Sequence, residues 1–406
     1  MAKAKNTNLT GAKKAKKDEF YTQYDDIQNE LAHYKKHFYG KVVLCNCDDP
    51  KISNFFKYFA HNYYDLGLKK LICTCYKNAS GEEFRYELEN QDKIEGLKDP
   101  KPDTSGKKSC FFEYEGKDNA DKELRENKKI DEFLATQIIT GELKNDKEYL
   151  KDKNTNGGGG VKLKDKELYP AGDFRSLQCI ELLKSADIVV TNPPFSLFRE
   201  YVAQLIEYDK KFLIIGNVNA ITYKEIFSLI KDNKLWLGVS ITSGDRKFHV
   251  PDSYPLEAAG CGVEIVNGKE KKYIKVKGVR WFVNLENKKR NEPLEIYASF
   301  KKNPEKYPKY DNYDAINVDK TSEIPKDYKG VMGVPITFLD KHNPKQFEIL
   351  GLDNHLLNCG LGAGCNSLNG KKIYRRLIIR KIAEVEELEQ EEREKRKAQK
   401  AKKEQE

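Results

Sequence analysis

The chain has 406 residues, 38% hydrophobic content and a formal net charge of +9. The length allows one large domain or two smaller ones with a sizeable core, and no segment is long enough to span a membrane. The basic N-terminal segment lacks the apolar stretch of a secretion signal, so we expect a soluble cytoplasmic protein with reduced cysteines. The positive charge favours a polyanionic partner but does not distinguish DNA from RNA.

Charged tails are predicted at both ends of the sequence. Residues 1–17 are rich in lysine and are predicted to form a flexible basic tail, and residues 381–406 are predicted to form a charged C-terminal tail.

Two C-x-C pairs, Cys45 with Cys47 and Cys73 with Cys75, raise the question of a four-thiolate zinc site. Zinc knuckles usually have the spacing C-x₂-C, so we predict buried thiols and no metal.

Apolar runs and amphipathic stretches alternate along the first half of the chain. This pattern predicts an α/β domain with a parallel sheet, in which ligands bind at the carboxyl ends of the strands. The predicted elements are a strand at 41–49, a helix at 50–67, a strand at 68–76, a helix at 176–186, a strand at 187–192, a helix at 196–209 and a strand at 210–217.

A polar segment interrupts this alternation from about residue 77 to residue 166. The glycines at 157–160 follow a polar run and lack the Gly-Lys-Ser/Thr ending of a phosphate-binding loop, so we predict a flexible hinge within an insertion. After Asn233 the composition favours an antiparallel sheet with long loops.

The stretch "DIVVTNPPF" places two prolines directly after a buried strand. Each proline lacks an N–H group and fixes φ, so the loop is rigid. The side-chain oxygen of Asn192 and the carbonyl oxygen of Pro193 can both accept hydrogen bonds, and the proline pair Pro193–Pro194 holds them in a fixed relation. The alternative interpretation is an ordinary strand end.

Two convergent acceptors suit a planar amino group that has two N–H donors, such as adenine N6. They would stabilise the positive charge that develops as the nitrogen attacks a carbon electrophile, and the sulfonium methyl of S-adenosylmethionine is the electrophile implied. Phe195 would stack on the base.

"TNPPF" at 191–195 resembles the catalytic motif of amino-methyltransferases, and most of the chain resembles the EcoRI-type adenine-specific DNA methyltransferases of restriction-modification systems. The resemblance extends over the stretches "DEFYTQYDDIQNEL" from Asp18, "VVLCNCDDPKISNFFKYF" from Val42, "GLKKLI" from Gly67, "GDFRS" from Gly172, "WFVNL" from Trp281 and "GVMGVPITFLDKHNPKQFEILG" from Gly330. It implies a Rossmann-like methyltransferase sheet with an additional strand- and loop-rich target-recognition region.

The resemblance also implies a set of residues that bind the cofactor. Tyr21 and Thr22 correspond to the segment around the methionine part, although Thr22 could instead cap a helix. "CNCDDP" replaces the usual glycine-rich loop, so Asp48 and Asp49 become provisional contacts; the alternative is a simple Asp turn before proline. In "GDF", Asp173 would accept from the cofactor's exocyclic amine and Phe174 would lie in the loop that meets its adenine; a helix-entry acid is the competing explanation.

Trp281 and Phe282 are candidates for a contact with the extruded base, although paired aromatic residues in a strand are more often core.

The predicted domains are a catalytic domain at 18–295 that contains the insertion and a target-recognition region at 296–380. We expect base flipping, binding to double-stranded DNA and no membrane association. A monomer is compatible with the sequence, and a cognate restriction endonuclease is a candidate partner.

Other functions stay open at this point. The same loop serves methyltransferases that act on RNA adenines or on protein glutamines. The missing glycine-rich loop raises the alternative of a non-catalytic DNA-binding protein that retains the fold. An oxidoreductase is disfavoured because no G-x-G-x-x-G follows a strand.

Overall fold

The computed structural model describes residues 22–47, 53–75, 110–114, 139–155, 168–250, 256, 260–266, 269–352 and 367–383. These residues form a mixed α/β protein. The chain divides into two compact units. The first unit comprises Met1–Leu31, Lys35–Ile215 and Asp245–Lys277, and the second comprises Ala32–Tyr34, Gly216–Gly244 and Gly278–Glu406.

The described α-helices are short. They are α1 (Tyr24–Leu31), α2 (Asn54–His61), α3 (Asp146–Thr155), α4 (Leu177–Ser185), α5 (Phe198–Glu207) and α6 (Lys224–Lys231). Segments of 3₁₀-helix lie at Lys35–His37, Phe195–Leu197, Val218–Thr222, Lys289–Asn291, Pro304–Lys306, Thr321–Glu323 and Ile336–Lys341.

The strands belong to several sheets. They are β1 (Val42–Cys45), β2 (Lys70–Thr74), β3 (Cys110–Tyr114), β4 (Ile139–Glu142), β5 (Ile188–Thr191), β6 (Lys211–Asn217), β7 (Trp236–Leu237), β8 (Asp245–His249), β9 (Cys261–Val266), β10 (Lys269–Lys277), β11 (Val279–Val283), β12 (Ile316–Asn317), β13 (Val331–Pro335), β14 (Phe347–Leu352), β15 (Ser367–Leu368), β16 (Lys371–Lys372) and β17 (Arg376–Lys381).

The main sheet of the first unit has the strand order β4-β3-β2-β1-β5-β6. Strands β2, β1, β5 and β6 are parallel, whereas β3 and β4 pair antiparallel at the outer edge beyond β2. The register places Leu44 opposite Val189. Strands β1 and β5 therefore end side by side, although they are far apart in the sequence.

The elements around this sheet follow from their local sequences. Ser53 caps α2 and Ser176 caps α4, each through a side-chain oxygen that accepts a backbone N–H from the first turn. Helix α5 buries one face, which includes Phe198, Tyr201 and Leu205. All four residues of β5 are buried, as expected for a central strand with both faces covered.

The first unit also contains a three-stranded antiparallel sheet with the order β8-β10-β9. On its surface, the carboxylate of Glu264 contacts both Lys247 and His249. An ion pair between Arg246 on β8 and Asp26 on α1, 3.8 Å long, connects this sheet to the first helix.

The second unit contains the antiparallel pair β11–β7 and a four-stranded sheet with the order β12-β13-β17-β14. Phe338 and Phe347 are fully buried and meet edge to face, with ring centroids 5.2 Å apart. Gln346 fixes a long loop, because its side chain both accepts from and donates to the backbone of Leu294, at 2.7 and 2.9 Å. The boundary predicted near residue 295 stays a prediction.

The structure confirms the predicted mixed α/β class and places each strand and helix predicted before residue 218 within its expected range. The range 77–166 was predicted as a polar insertion without assigned strands or helices, and its described part contributes β3, β4 and α3. The glycines at 157–160, the tail at 1–17 and residues 384–406 lie outside the described residues.

In the described part of the chain, no helix has the length and apolar character that crossing a membrane requires.

Candidate active site

The loop that follows β5 carries the predicted catalytic motif. Asn192 is partly exposed, but its Oδ1 atom is buried. Pro193 is buried, and Pro194 accepts a hydrogen bond from the backbone N–H of Leu197 at 3.0 Å, which closes the 3₁₀ turn that starts at Phe195. The prolines therefore hold the segment between a buried strand and helix α5, as their fixed φ angles predict.

The turn after β1 lies beside this loop. Asn46 is 3% exposed, and its backbone carbonyl accepts a hydrogen bond from the hydroxyl of Thr191, the last residue of β5. Its side-chain Oδ1 accepts from the hydroxyl of Tyr201 on α5. Three elements thus meet at one buried residue, at the carboxyl edge of the parallel strands where α/β proteins bind ligands.

Cys47, the next residue, has φ of +64°. A non-glycine residue in the left-handed region is uncommon and carries a conformational cost. The turn therefore adopts, without glycine, a backbone conformation that glycine usually supplies. Asp48 and Asp49 lie outside the described residues, as does Tyr21.

The "GDF" loop forms a second polar cluster in the first unit. Both carboxylate oxygens of Asp173 accept from the guanidinium of Arg175, at 2.9 and 2.8 Å, and Oδ1 also accepts the backbone N–H of Arg175. A third guanidinium nitrogen donates to Glu200 on α5 at 3.0 Å. Hydrogen bonding to Asp173 holds the pKa of Arg175 above its usual range.

Arg175 thereby connects the "GDF" loop to the helix that follows the catalytic motif. Its guanidinium also lies over the ring of Tyr169 at 4.5 Å and over that of Phe174 at 5.3 Å. Phe174 is buried and packs edge to face on Tyr201, with ring centroids 5.0 Å apart. The loop predicted to meet the cofactor's adenine is thus packed against the same helix that holds Asn46.

Thr22 lies in the segment before α1. It is buried, and its Oγ1 atom has no hydrogen-bond partner among the residues described. Its backbone carbonyl accepts from the side chain of Asn54 at 2.7 Å. Since a helix cap requires the hydroxyl oxygen to accept a backbone N–H, these contacts do not support the alternative interpretation of Thr22 as a cap.

Trp281 and Phe282 lie in β11 of the second unit. Both side chains are fully buried, which is the arrangement of core residues. Stacking on an extruded base requires an open ring face, so the base contact predicted for one of them finds no support in this arrangement. The core alternative agrees better with their burial.

The thiols of the two C-x-C pairs differ in exposure. Cys45 and Cys73 are buried opposite each other in β1 and β2, and Cys47 and Cys75 are partly exposed. No group of three or more candidate metal ligands occurs among the described residues.

Comparison with known proteins decides the family. The family described as "Adenine-specific methyltransferase EcoRI" matches residues 8–406. The chain belongs to this family. The methyltransferase is 45% identical to the Type II methyltransferase M.EcoRI of Escherichia coli over 381 residues, which cover 93% of this chain and 97% of that protein.

Two mycoplasma proteins are also similar to this methyltransferase. The Type II methyltransferase M.MgeORF184P of Mycoplasma genitalium is 35% identical, and the Type II methyltransferase M.MpnI of Mycoplasma pneumoniae is 33% identical. Each alignment covers 91% of this chain and 97% of the relative. No solved structure matches the chain significantly.

Sequence reasoning missed three residues that the structure brings to this candidate site: Asn46, Arg175 and Tyr201. Arg175 directly follows "GDF", so its proximity to an acidic residue was a usable signal. Tyr201 lies on the apolar face of α5 and looks like an ordinary core residue in the sequence. Its hydroxyl meets Asn46 across 155 positions of the chain, a contact that only the fold creates.

Proposed function

We propose that this methyltransferase transfers a methyl group from S-adenosylmethionine to N6 of an adenine extruded from a specific site in duplex DNA. The supporting observation is that the catalytic loop after β5 and the turn after β1 meet at the carboxyl edge of the sheet, joined by the hydrogen bond from Thr191 to Asn46. The parallel order β2-β1-β5-β6 supports a Rossmann-like arrangement of the catalytic domain.

The described residues fit the cofactor at three places. All three belong to the first unit: the segment at Thr22, the turn at Cys47 and the "GDF" loop. Thr22 presents a buried hydroxyl, and Cys47 presents a backbone held at positive φ. We assign Asp173 and Phe174 to the adenosine part and Thr22, with Tyr21, Asp48 and Asp49, to the methionine part. S-adenosylmethionine supplies a methyl carbon that its sulfonium activates.

Asp173 can serve this role while it is paired with Arg175. An ionised carboxylate has about four lone-pair sites, and the guanidinium and backbone of Arg175 occupy three of them. The remaining site can accept from an exocyclic amine. The ion pair would hold the carboxylate in place instead of competing with the cofactor.

Asn192 and Pro193 are proposed as the acceptors for the two N6 hydrogens. They would favour the pyramidal nitrogen that attacks and the positive charge that develops on it. Because Oδ1 of Asn192 is buried here, this role requires the amide to turn toward the base when DNA binds. Pro194 keeps the loop rigid, and Phe195, whose side chain is partly exposed, is placed to stack on the adenine.

DNA binding is assigned to basic side chains and to the region 296–380, proposed as the target-recognition region. Exposed aromatic and basic side chains occur there, among them Tyr297, Tyr374 and Arg375. They suit contacts with phosphates and bases. Methylation at the recognised site would protect DNA from a cognate restriction endonuclease, which is the proposed functional partner.

Radiolabelled S-adenosylmethionine tests the substrate class. The enzyme is incubated with duplex DNA, with RNA of the same sequence and with a bacterial protein extract, and digestion to nucleosides then locates the label. We expect label in N6-methyladenine from DNA only, and prior methylation of the same sites should abolish further incorporation.

Two outcomes would contradict the proposal. Label in RNA or in glutamine side chains, with none in DNA, would identify RNA or protein as the substrate. Binding to DNA without any calorimetric signal for S-adenosylmethionine would identify a non-catalytic DNA-binding protein.

A further inference from the structure

Tyr201 carries a buried hydroxyl that donates to a buried amide. The side chain is 0% exposed, and the hydroxyl donates to Oδ1 of Asn46, itself 3% exposed. A phenylalanine would fill the same volume on the apolar face of α5 without burying a polar group. Burying a hydroxyl is costly unless it is hydrogen-bonded, so this tyrosine is better explained by its hydrogen bond than by packing alone.

A second hydroxyl reaches the same residue from the other side of the catalytic loop. Thr191, the residue immediately before Asn192, donates to the backbone carbonyl of Asn46. Tyr201 lies within the first turn of the helix that follows the loop. The two hydroxyls therefore enclose residues 192–195 in the sequence and converge on one amino acid at the end of β1.

The residue that they hold precedes a strained one. Cys47 adopts φ of +64°, which side chains other than glycine adopt rarely, and such conformations persist where the surroundings fix them. Tyr201 also packs on Phe174, so the same side chain contacts the "GDF" loop. Two of the three segments assigned to the cofactor, the turn at Asn46–Cys47 and the "GDF" loop, thus contact one residue of helix α5.

We propose that Tyr201 and Thr191 are positioning residues, which fix the turn at Asn46–Cys47 against the catalytic loop and so set the distance between methyl donor and target amine. The inference rests on the proposed function for the assignment of the turn to the cofactor. Transfer reactions depend steeply on such alignment, and a displacement of about 1 Å can cost about 100-fold in rate. The pair would hold Cys47 in a backbone conformation that the residues of a glycine-rich loop adopt without strain.

The main test is Tyr201→Phe, with Tyr208→Phe as the matched control. Tyr208 directly follows the same helix, is less buried, and places its ring 5.5 Å from the ammonium group of Lys184. The measurements are the single-turnover methylation rate, the Kd for S-adenosylmethionine by calorimetry, the Kd for DNA and the unfolding midpoint.

For Tyr201→Phe we expect the single-turnover rate to fall about 10- to 100-fold and cofactor affinity to weaken several-fold, because the turn loses its alignment. DNA affinity should stay within about twofold, and Tyr208→Phe should match the wild type in every measurement. A rate loss that only follows a loss of folded protein would overturn the positioning role.

A double-mutant cycle tests whether Asn46 is the partner. Asn46→Ala and Tyr201→Phe remove opposite ends of one hydrogen bond, so the double variant should lose little more rate than the worse single variant. Fully multiplicative losses would show that the two residues act independently and would refute the proposed connection.

Thr191 offers a rescue test. Thr191→Val removes the hydroxyl at nearly constant shape, and Thr191→Ser keeps it. We expect a loss for valine of about 10-fold and near-complete rescue by serine, and equal rates for both variants would contradict the role of the hydroxyl.

A readout independent of catalysis is the alkylation rate of the Cys47 thiol, followed peptide by peptide with mass spectrometry. Loosening of the turn should raise this rate in Tyr201→Phe and leave it unchanged in Tyr208→Phe. A wild-type enzyme that does not methylate adenine would refute the proposed function, whereas an active wild type with unaffected variants would refute only this inference.

Discussion

Buried polar groups occur in both units, but their surroundings differ. In the first unit, Asn46 and Thr191 meet at the carboxyl edge of parallel strands, beside a loop whose Asn192 is partly exposed. In the second unit, Arg280 and Asp340 form a buried ion pair 3.5 Å apart. Buried polar groups alone therefore do not distinguish the proposed active site, and position at the ends of parallel strands is the more informative feature.

The second unit uses its polar groups to connect strands and loops. The hydroxyl of Tyr310 donates to Oδ1 of Asn317 at 2.8 Å, and the Nε atom of Arg376 donates to the same oxygen at 3.2 Å. These contacts join a loop, a short strand and β17. We interpret them as structural and expect their removal to change stability more than turnover.

The largest effect is expected at the catalytic loop. Asn192→Ala removes a proposed acceptor that acts mainly in the transition state, so kcat should fall about 100- to 1,000-fold while DNA affinity changes less than about twofold. The matched control is Asn219→Ala, at an exposed amide. Measured single-turnover rates close to the wild type would remove Asn192 from the mechanism.

A change of stability with pH should identify the buried pair of the second unit. Burial raises the pKa of Asp340 to about 6, although Arg280 opposes the shift. Because the folded state then binds the proton more tightly than the unfolded chain, Asp340 disfavours folding above pH 6, and this cost disappears as the pH falls from about 6 to about 4.

The measurement is urea unfolding of the wild type and Asp340→Asn across this pH range. The free energy of unfolding of the wild type should rise relative to the variant by at most about 3 kcal/mol toward pH 4. Turnover per folded molecule at pH 7.5 should be similar in both proteins. A parallel pH dependence would show that Asp340 does not titrate in this way.

An intermediate effect is expected at Arg175. Arg175→Lys keeps the charge but loses the two-point contact with Asp173, so the Kd for S-adenosylmethionine should rise about 10-fold and the free energy of unfolding should fall by about 1 kcal/mol. Arg199→Lys, at an exposed position on α5, is the control. Unchanged cofactor affinity would argue that the "GDF" loop has a structural role only.

The smallest effect should come from the surface of β14 and β17. Glu348 pairs with Arg380 at 2.6 Å, but both side chains are nearly half exposed, and water screens such pairs. Glu348→Gln should therefore change the free energy of unfolding by less than about 1 kcal/mol and leave methylation unchanged. A larger loss of stability would mean that this pair belongs to a wider network.

The parts of the fold that were predictable are those in which local sequence and burial agree. Strands β1, β5 and β6 are short apolar runs flanked by amphipathic helices, and the proline pair after β5 marks the proposed catalytic loop within the sequence itself. Strand β4 was not predictable, because "ITGE" at 139–142 has no apolar alternation. Strand β3, "CFFEY", is an apolar run that was overlooked within a mostly polar segment.

The proposed site could be recognised in the sequence only where its residues are close together along the chain. Asn192 to Phe195 form one rigid segment, whereas the contact between Asn46 and Tyr201 depends on the pairing of β1 with β5. Trp281 and Phe282 show the opposite difficulty, since an aromatic pair in a strand looks alike whether it contacts a base or fills a core.

The strand order also bears on how this family tolerates changes in length. Because β3 and β4 pair beyond β2, on the side of β1 away from β5, residues added there extend the sheet outward. The entropic cost of lengthening such a connection grows only slowly with the number of residues. Residues can therefore be added to or removed from the connections of β3 and β4 while the pairing of β1 with β5, on which the proposed site depends, stays the same.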